Sequence, residues 1–433
     1  MSRQALFVAA YDSQLKWAMS LGAELGARGW QYSVVVPSDV RNSLSKEQLA
    51  AAGSVTVERM RWTDLLKRAR TVDCVVLALQ GTLVARFTDE LELLRRDEPS
   101  VREPVVVTGW VGIIIEKLVA GYLDRAGSDV VAVNSADNLR EFVATGRRLG
   151  VPSDNLLLSG LPLLPARPKP PSDGPIRTLV FADQPTVPGT RWDRAYLYCR
   201  LLEYARAHPE RRVLLKPRHR PSESTFHVMQ DHPETLLPRL GAIPPNFAIT
   251  YDRITALLPQ TDLLLTMSST AGLEAIGAGV RTVFIGDLGV HEKHGNQVLV
   301  ASGLIATFDD VMADRIPRAD PDWLEDIFIG GEVSPAGRIV DRVIQLRELA
   351  PAERPARSVA AGPYLSGRVA VRRERAGMPA IARDPSGAAG TAARRLVPII
   401  LPLARRADHA LRAFLPASWH RAALNGWYRL RVG

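Results

Sequence analysis

Short apolar runs of strand length, rich in Val, Leu and Ile, recur through the first 160 residues and alternate with amphipathic stretches. They predict strands at Ala5–Ala10, Tyr32–Val36, Val55–Arg59, Val72–Leu79, Val105–Thr108 and Val130–Asn134. Apolar residues at three-and-four spacing predict helices between them, most clearly over Lys16–Gly26 and Leu139–Leu149. Strand runs with little internal polar alternation, separated by helices, imply a parallel sheet covered on both faces. Leu161–Pro175 then carries six prolines in fifteen residues, which can continue neither a helix nor a central strand and mark a domain boundary. Beyond it the alternation restarts. Strands are expected at Thr178–Ala182, Val213–Lys216, Phe247–Tyr251, Leu263–Met267 and Thr282–Ile285, with helices at Arg191–Ala207, from Thr270, and at Pro335–Leu349. The expectation is a pair of Rossmann-like, doubly wound parallel-sheet domains, residues 1–165 and 176–350.

The remaining residues differ in composition. Residues 351–390 are rich in Ala, Arg, Gly and Pro with few large apolar side chains and read as a disordered linker. Residues 391–433 mix Leu, Ile, Phe and Trp with Arg at helical spacing, interrupted by prolines, and read as a basic amphipathic tail. This placement changes the meaning of the formal charge of +9. From Pro351 onward there are 15 Arg and 4 acidic residues, a net of +11, which leaves residues 1–350 at +9 − 11 = −2. A nucleic-acid-binding core would be basic, so that class is set aside. Cys74 and Cys199 lack neighbours for a metal or redox site and read as buried structural thiols in a reducing compartment. The first residues do not resemble a signal peptide, and no apolar run reaches 18 residues, so the expected location is cytoplasmic.

The chemistry-bearing segment is Thr261–Asp287, TDLLLTMSSTAGLEAIGAGVRTVFIGD. A buried strand runs into Ser268, Ser269 and Thr270 and then into a helix whose end Gly277 and Gly279 mark. Such a helix start at the carboxyl end of a parallel strand can bind phosphate through its free backbone N–H groups, or the serines can simply cap the helix. Glu274, about one turn on, lies on the same side as the cap and could accept hydrogen bonds from a ribose. The block GLEAIGAGVRTVFIG resembles the nucleotide-binding segment of GT-B glycosyltransferases. The Ser-Ser before it resembles the paired serines of bacterial sialyltransferases, polysialyltransferases and capsule or teichoic-acid polymerases. By that resemblance Ser268, Ser269 and Thr270 hold phosphate, Glu274 holds ribose, and the fold is GT-B, two domains facing a cleft.

In Val213–His227, VLLKPRHRPSESTFH, the strand delivers Lys216, Arg218, His219 and Arg220 to the same crevice, unless they form only a solvated basic loop. The sialyltransferase group carries a basic His-Pro motif here, from which this chain departs by placing Arg220 between His219 and Pro221. The pattern also resembles an actinobacterial group of glycosyltransferases in which Lys-x-Arg is followed by Glu, Thr and His at alternate positions, matched by Glu223, Thr225 and His227. The same group carries the run Asp-Ser-x-Leu-Lys-Trp found at Asp12–Trp17. Asp12, at the end of the first strand, is the candidate base for an acceptor hydroxyl, although Asp12 and Ser13 could equally cap the first helix. Gln184, Arg191, Gly109 and Gly112 are lesser candidates, and His291, His294 and Asn296 match no familiar metal spacing.

The resemblance implies a metal-independent glycosyltransferase without cofactor, taking a nucleotide-sugar donor and a cell-envelope glycan or lipid-linked acceptor. Cationic residues among Trp, Phe and Leu in the tail suit contact with an anionic membrane surface, or a tail folded back on its own domains. Other readings of the same fold are glycerol-phosphate or polymer transfer and sugar-nucleotide epimerisation, although the acidic and arginine motifs of epimerases are absent. A non-catalytic nucleotide-sugar-binding protein is the reading from another class.

Overall fold

A computed structural model describes residues 3–39, 57–97, 103–115, 118–221, 223, 229, 231–349 and 362–377. The chain divides into two units, residues 1–373 and 374–433. Nearly all of the described residues belong to the first. It contains two parallel sheets, as the alternating pattern predicted.

The first sheet is built from β1 (Gln4–Ala9), β2 (Gln31–Pro37), β3 (Val57–Met60), β4 (Cys74–Ala78), β5 (Val105–Gly109), β6 (Val130–Val133) and β7 (Leu156–Leu158), in the order β3-β2-β1-β4-β5-β6-β7. All its pairings are parallel, with Phe7 beside Val34 on one side and Val76 on the other. The second sheet contains β8 (Thr178–Ala182), β9 (Arg212–Lys216), β10 (Phe247–Ile249), β11 (Leu263–Thr266), β12 (Arg281–Ile285) and β13 (Ile305–Ala306), in the order β10-β9-β8-β11-β12-β13. It too is wholly parallel. The central strands are apolar along their length because helices cover both faces, and Leu263, Leu264 and Leu265 are all fully buried. In each sheet the strand order reverses once, between β1 and β4 and between β8 and β11. Ligands of open α/β sheets bind at such a point, outside the carboxyl ends of the strands.

Two elements depart from the expected domain plan. The helix Pro335–Glu348, expected to finish the second domain, packs against the first sheet and its first helix, α1 (Asp12–Ala27). Ile339, Val340, Val343 and Leu346 are buried in a cluster that also contains Leu21, Leu25, Val105 and Val130. Polar contacts reinforce it: Arg28 pairs with Asp341, the Ser334 hydroxyl donates to Glu24, and Arg347 donates to Asp73 at 2.6 Å. The same cluster takes in Leu273, Ile276 and Phe284 of the second sheet's layer, so one apolar seam joins the two sheets.

The second departure lies in the span expected to be a disordered linker, where Pro363–Gly377 is a helix. Its composition is Arg-rich, but it buries Leu365 and Val369 and brings two arginines to Asp89, whose side chain is fully buried. Arg368 reaches Asp89 with Nε at 3.0 Å and Nη2 at 2.8 Å, and donates to the Leu123 carbonyl at 2.7 Å. Arg372 Nε reaches the other carboxylate oxygen at 3.0 Å. Tertiary ion pairing and a few aliphatic contacts thus order a segment whose local sequence reads as unstructured. The tail, residues 391–433, lies outside the described residues, as do Thr225 and His227.

The loop after β12 shapes the second sheet's edge. His291 caps a short turn over Glu292–His294, Asn296 is fully buried and bonds across the loop to the His291 amide and the Gly289 carbonyl, and His294 is buried. These residues brace a loop, and among the described residues no cluster of three or more His, Cys, Asp or Glu side chains is arranged to hold a metal. Cys74 is buried as expected, whereas Cys199 is half-buried.

Two outcomes are expected. Arg368→Ala leaves the buried Asp89 with one partner, and should cost on the order of 1–3 kcal/mol in urea denaturation. A midpoint unchanged from wild type would show that the Pro363 helix is not docked. Burial, with the charge of Lys293 added, pushes the His294 pKa below its ordinary value. The unfolded chain therefore binds a proton that the folded ring resists, and stability is lost as pH falls below about 6.5. Melting temperatures between pH 7 and 5 should fall more steeply for wild type than for His294→Gln.

Candidate active site

The carboxyl end of β1 delivers Tyr11 and Asp12, and α1 begins there at once. Neither Asp12 nor Ser13 caps it. Tyr11 stands at the cap position, and the Gln14 side chain bends back to accept the amides of Ala10 at 2.9 Å and Tyr11 at 3.2 Å. Gln14 thus supplies the backward arm of a capping box, closing the amides that precede the helix, and the Asp12 carboxylate at its first position is exposed. One turn further along the same face of α1 lies Lys16.

The end of β11 delivers Ser268, Ser269 and Thr270 to the helix Thr270–Gly277. The three hydroxyls have different surroundings. Ser268 is buried; its hydroxyl donates to the His294 carbonyl at 2.6 Å, and its amide donates to Gln184 Oε1 at 2.9 Å. Ser268 is therefore a brace across the reversal point of the second sheet, and it is Ser269 and Thr270 that are partly open to solvent. Ser269 caps the helix by accepting the Ala271 amide at 3.2 Å. Gly112, in the loop after β5 of the first sheet, runs so close to Thr270 that a Cβ there would come within 2.6 Å of Oγ1. The side chain of Asn134 holds this loop by donating to the Gly112 carbonyl, and Ile115 of the same loop packs over Gly295. Gly112 thus permits a close approach between the two domains beside the helix start.

A salt bridge pins Gln184 in turn. Arg194 and Asp183, both buried, meet at 2.8 Å, and Arg194 also donates to the carbonyls of Gln184, Pro185 and Pro188. Sequence reading missed this pair. Its only trace was the Asp next to Gln184 at a strand end, with an Arg in the first turn of the next helix. Arg191 faces away from this arrangement and pairs with Asp231.

Lys216, at the end of β9, is half-buried, and Arg218 is exposed. Burial lowers the Lys216 pKa, and so do the charges of Arg218 and Lys16, while Glu274 and Asp12 act in the opposite direction. Five charged side chains from both domains therefore act on one locality. Their central contact crosses the cleft: Lys16 Nζ donates to Glu274 Oε2 at 2.7 Å, with the Lys side chain 41% and the Glu side chain 11% exposed. Solvent screens this pair, which is worth about 1 kcal/mol or less.

His219 does not join the cluster. It is buried, its ring lies beside that of His232 at 6.2 Å, and His232 Nε2 is 3.0 Å from the His219 carbonyl. Arg220 lies over the Tyr251 ring. The histidine ring, 3.0 Å through Nδ1 from the Arg220 carbonyl, is held inside the loop. Of the sequence-predicted residues, the structure brings together Asp12, Lys216, Arg218 and Glu274, with Ser269 and Thr270 at the adjoining helix start. It adds Lys16 and Gln184, and withdraws the hydroxyl of Ser268 and the ring of His219 into the protein.

Comparison with known proteins agrees with this architecture. The UDP-GlcNAc 2-epimerase of Methanocaldococcus jannaschii, solved with UDP-GlcNAc and UDP, superposes with a TM-score of 0.53 at 10% identity, covering 79% of this chain and 99% of that one. A Listeria monocytogenes protein described as a "putative UDP-N-acetylglucosamine 2-epimerase" gives 0.50 at 11% identity, covering 82% and 99%. Anabaena HepE, solved with UDP-glucose, gives 0.45 at 14% identity, covering 85% and 99%. At identities this low the first two superpositions show the fold alone, which is the GT-B arrangement of two Rossmann-like domains. No curated protein matches the chain in sequence. Residues 5–346, in contrast, match as a whole the family described as "Putative glycosyltransferase (DUF6716)", and the chain belongs to that family.

Proposed function

We propose that the chain transfers a glycosyl group from a nucleotide-sugar donor to a hydroxyl of a cell-envelope glycan or lipid-linked acceptor, without a metal ion. The observation that carries this reading is the convergence of Lys216, Arg218, Lys16, Glu274 and Asp12 where the carboxyl edges of the two sheets meet. Cations at the end of β9 and the positive end of the Thr270 helix dipole can neutralise a departing phosphate, which is the charge that develops in glycosyl transfer. Glu274 would take the ribose hydroxyls. As the acceptor oxygen bonds to the anomeric carbon, the bond from that carbon to the phosphate oxygen breaks, and the acceptor's proton passes to Asp12. An exposed carboxylate that is spared from capping is free for that role.

The composition of residues 391–433, Arg interleaved with Leu, Phe and Trp, supports peripheral attachment to an anionic membrane on the cytoplasmic side, where a lipid-linked acceptor would be met. Among the described residues no helix is long and apolar enough to cross a membrane. Sugar-nucleotide epimerisation is the second reading, because the shared fold also serves two superposed proteins named as epimerases.

The test is titration of the purified protein with CMP, CDP, UDP, GDP and dTDP, comparing wild type with Ser269→Ala and Glu274→Ala. Micromolar binding of one nucleotide, weakened by both substitutions, is the expected outcome; no binding, or indifference to both, would remove the donor site. With the matching sugar nucleotide and an acceptor extract, Asp12→Asn is expected to lower turnover by about 100-fold or more with little change in nucleotide affinity. Recovery of an intact sugar nucleotide with one stereocentre changed, in place of a released nucleotide, would select epimerisation.

A further inference from the structure

Among the described residues, Lys16 makes the one direct side-chain bond between the acceptor-side helix and the helix proposed to hold the donor. Its position sets a conflict. Glu274 Oε2, one of the oxygens the ribose hydroxyls would need, is 2.7 Å from the Lys16 ammonium. The two cannot both keep full hydrogen bonds to that oxygen once a ribose is seated there. The charge balance resolves the conflict in one direction. Around Lys216 stand the cations Arg218 and Lys16 and the carboxylates Glu274 and Asp12, so the five groups sum to a net of +1. A bound phosphate adds at least one negative charge to that locality, and the ammonium nearest to hand with a flexible stem and a partly exposed head is Lys16.

We propose that Lys16 exchanges partners on donor binding: paired with Glu274, it moves to the donor's phosphate when the ribose takes Glu274. The inference rests on the donor-site reading above and gives Lys16 its role in that site. Lys16 lies one helical turn from Asp12 on α1. An ammonium bound to the phosphate therefore holds the donor beside the turn of α1 that carries the proposed base. The exposed, screened pair is weak enough for a ligand to replace.

The experiment measures, for wild type, Lys16→Ala and Lys16→Arg, the affinity of the nucleotide in the panel that binds wild type and of its unphosphorylated nucleoside. The exchange predicts opposite responses in Lys16→Ala. The nucleoside binds about threefold to fivefold more tightly, because Glu274 is released from a pair of that strength. The nucleotide binds roughly tenfold more weakly, because a charge-assisted contact to phosphate is gone. Lys16→Arg restores the nucleotide affinity. Equal tightening of both ligands would show that Lys16 only blocks the site, and unchanged affinities would show that it has no part in binding; either overturns the exchange. Binding of no panel member by folded wild type would overturn the donor-site reading itself, and the exchange with it.

Discussion

The seam formed by the helix Pro335–Glu348 under the first sheet is what lets a cleft exist at all. Two sheets linked by a proline-rich crossing at residues 161–175 have no reason of their own to present their carboxyl edges to each other. Ile339, Val340, Val343 and Leu346, each at most 3% exposed, supply one. Each fully buried aliphatic side chain of this size contributes about 1.5–3 kcal/mol, an upper figure because the unfolded chain already hides part of its surface. Arg347 to Asp73 and Arg28 to Asp341 fix the angle of the helix against the sheet. The chain returns to its first domain after completing its second, so the two are tied at both ends of the second sheet's sequence.

On that frame the opposed edges carry unequal tasks. The edge of the second sheet is stiff. Gln184 bridges the β8 and β11 loops, a buried arginine locks Gln184 in place, and Ser268 ties both to the loop at His294. The edge of the first sheet contributes fewer and more exposed groups, Asp12 and Lys16, on a helix whose own start is satisfied by Gln14. A stiff, heavily bonded edge facing a sparsely bonded one suits a site that holds one substrate constant and admits another. Preorganised charge on the stiff side is where transition-state stabilisation is most effective.

How much of this was legible in the sequence follows from which forces are local. The central strands were read correctly because burial on both faces writes itself into the chain as unbroken apolar runs such as Cys74–Ala78 and Leu263–Thr266. The edge strands Leu156–Leu158 and Ile305–Ala306 are too short to leave a pattern. The Pro363 helix was hidden because its order comes from Asp89, some 280 positions earlier, and no window of local sequence contains that partner. Ser268 and Ser269 look alike in sequence, and only the distant carbonyl of His294 decides which is drawn inward. His219 was misplaced for a similar reason, since its burial depends on His232 and on the loop that inserts Arg220. That Asp12, Lys216, Arg218 and Glu274 stand at the carboxyl edges of the two sheets was legible because strand ends in a parallel sheet are predictable and so is the edge they share. Lys16 was passed over because its partner lies 258 positions away.

The central claim is that one nucleotide engages both domains at this cleft. Hydrogen exchange measured by mass spectrometry on the full chain, with and without the nucleotide that binds, addresses it directly. The account predicts slowed exchange in peptides covering residues 268–275 and, in the same experiment, residues 11–18. Protection confined to one domain, or appearing at neither segment while the nucleotide is bound, would contradict it.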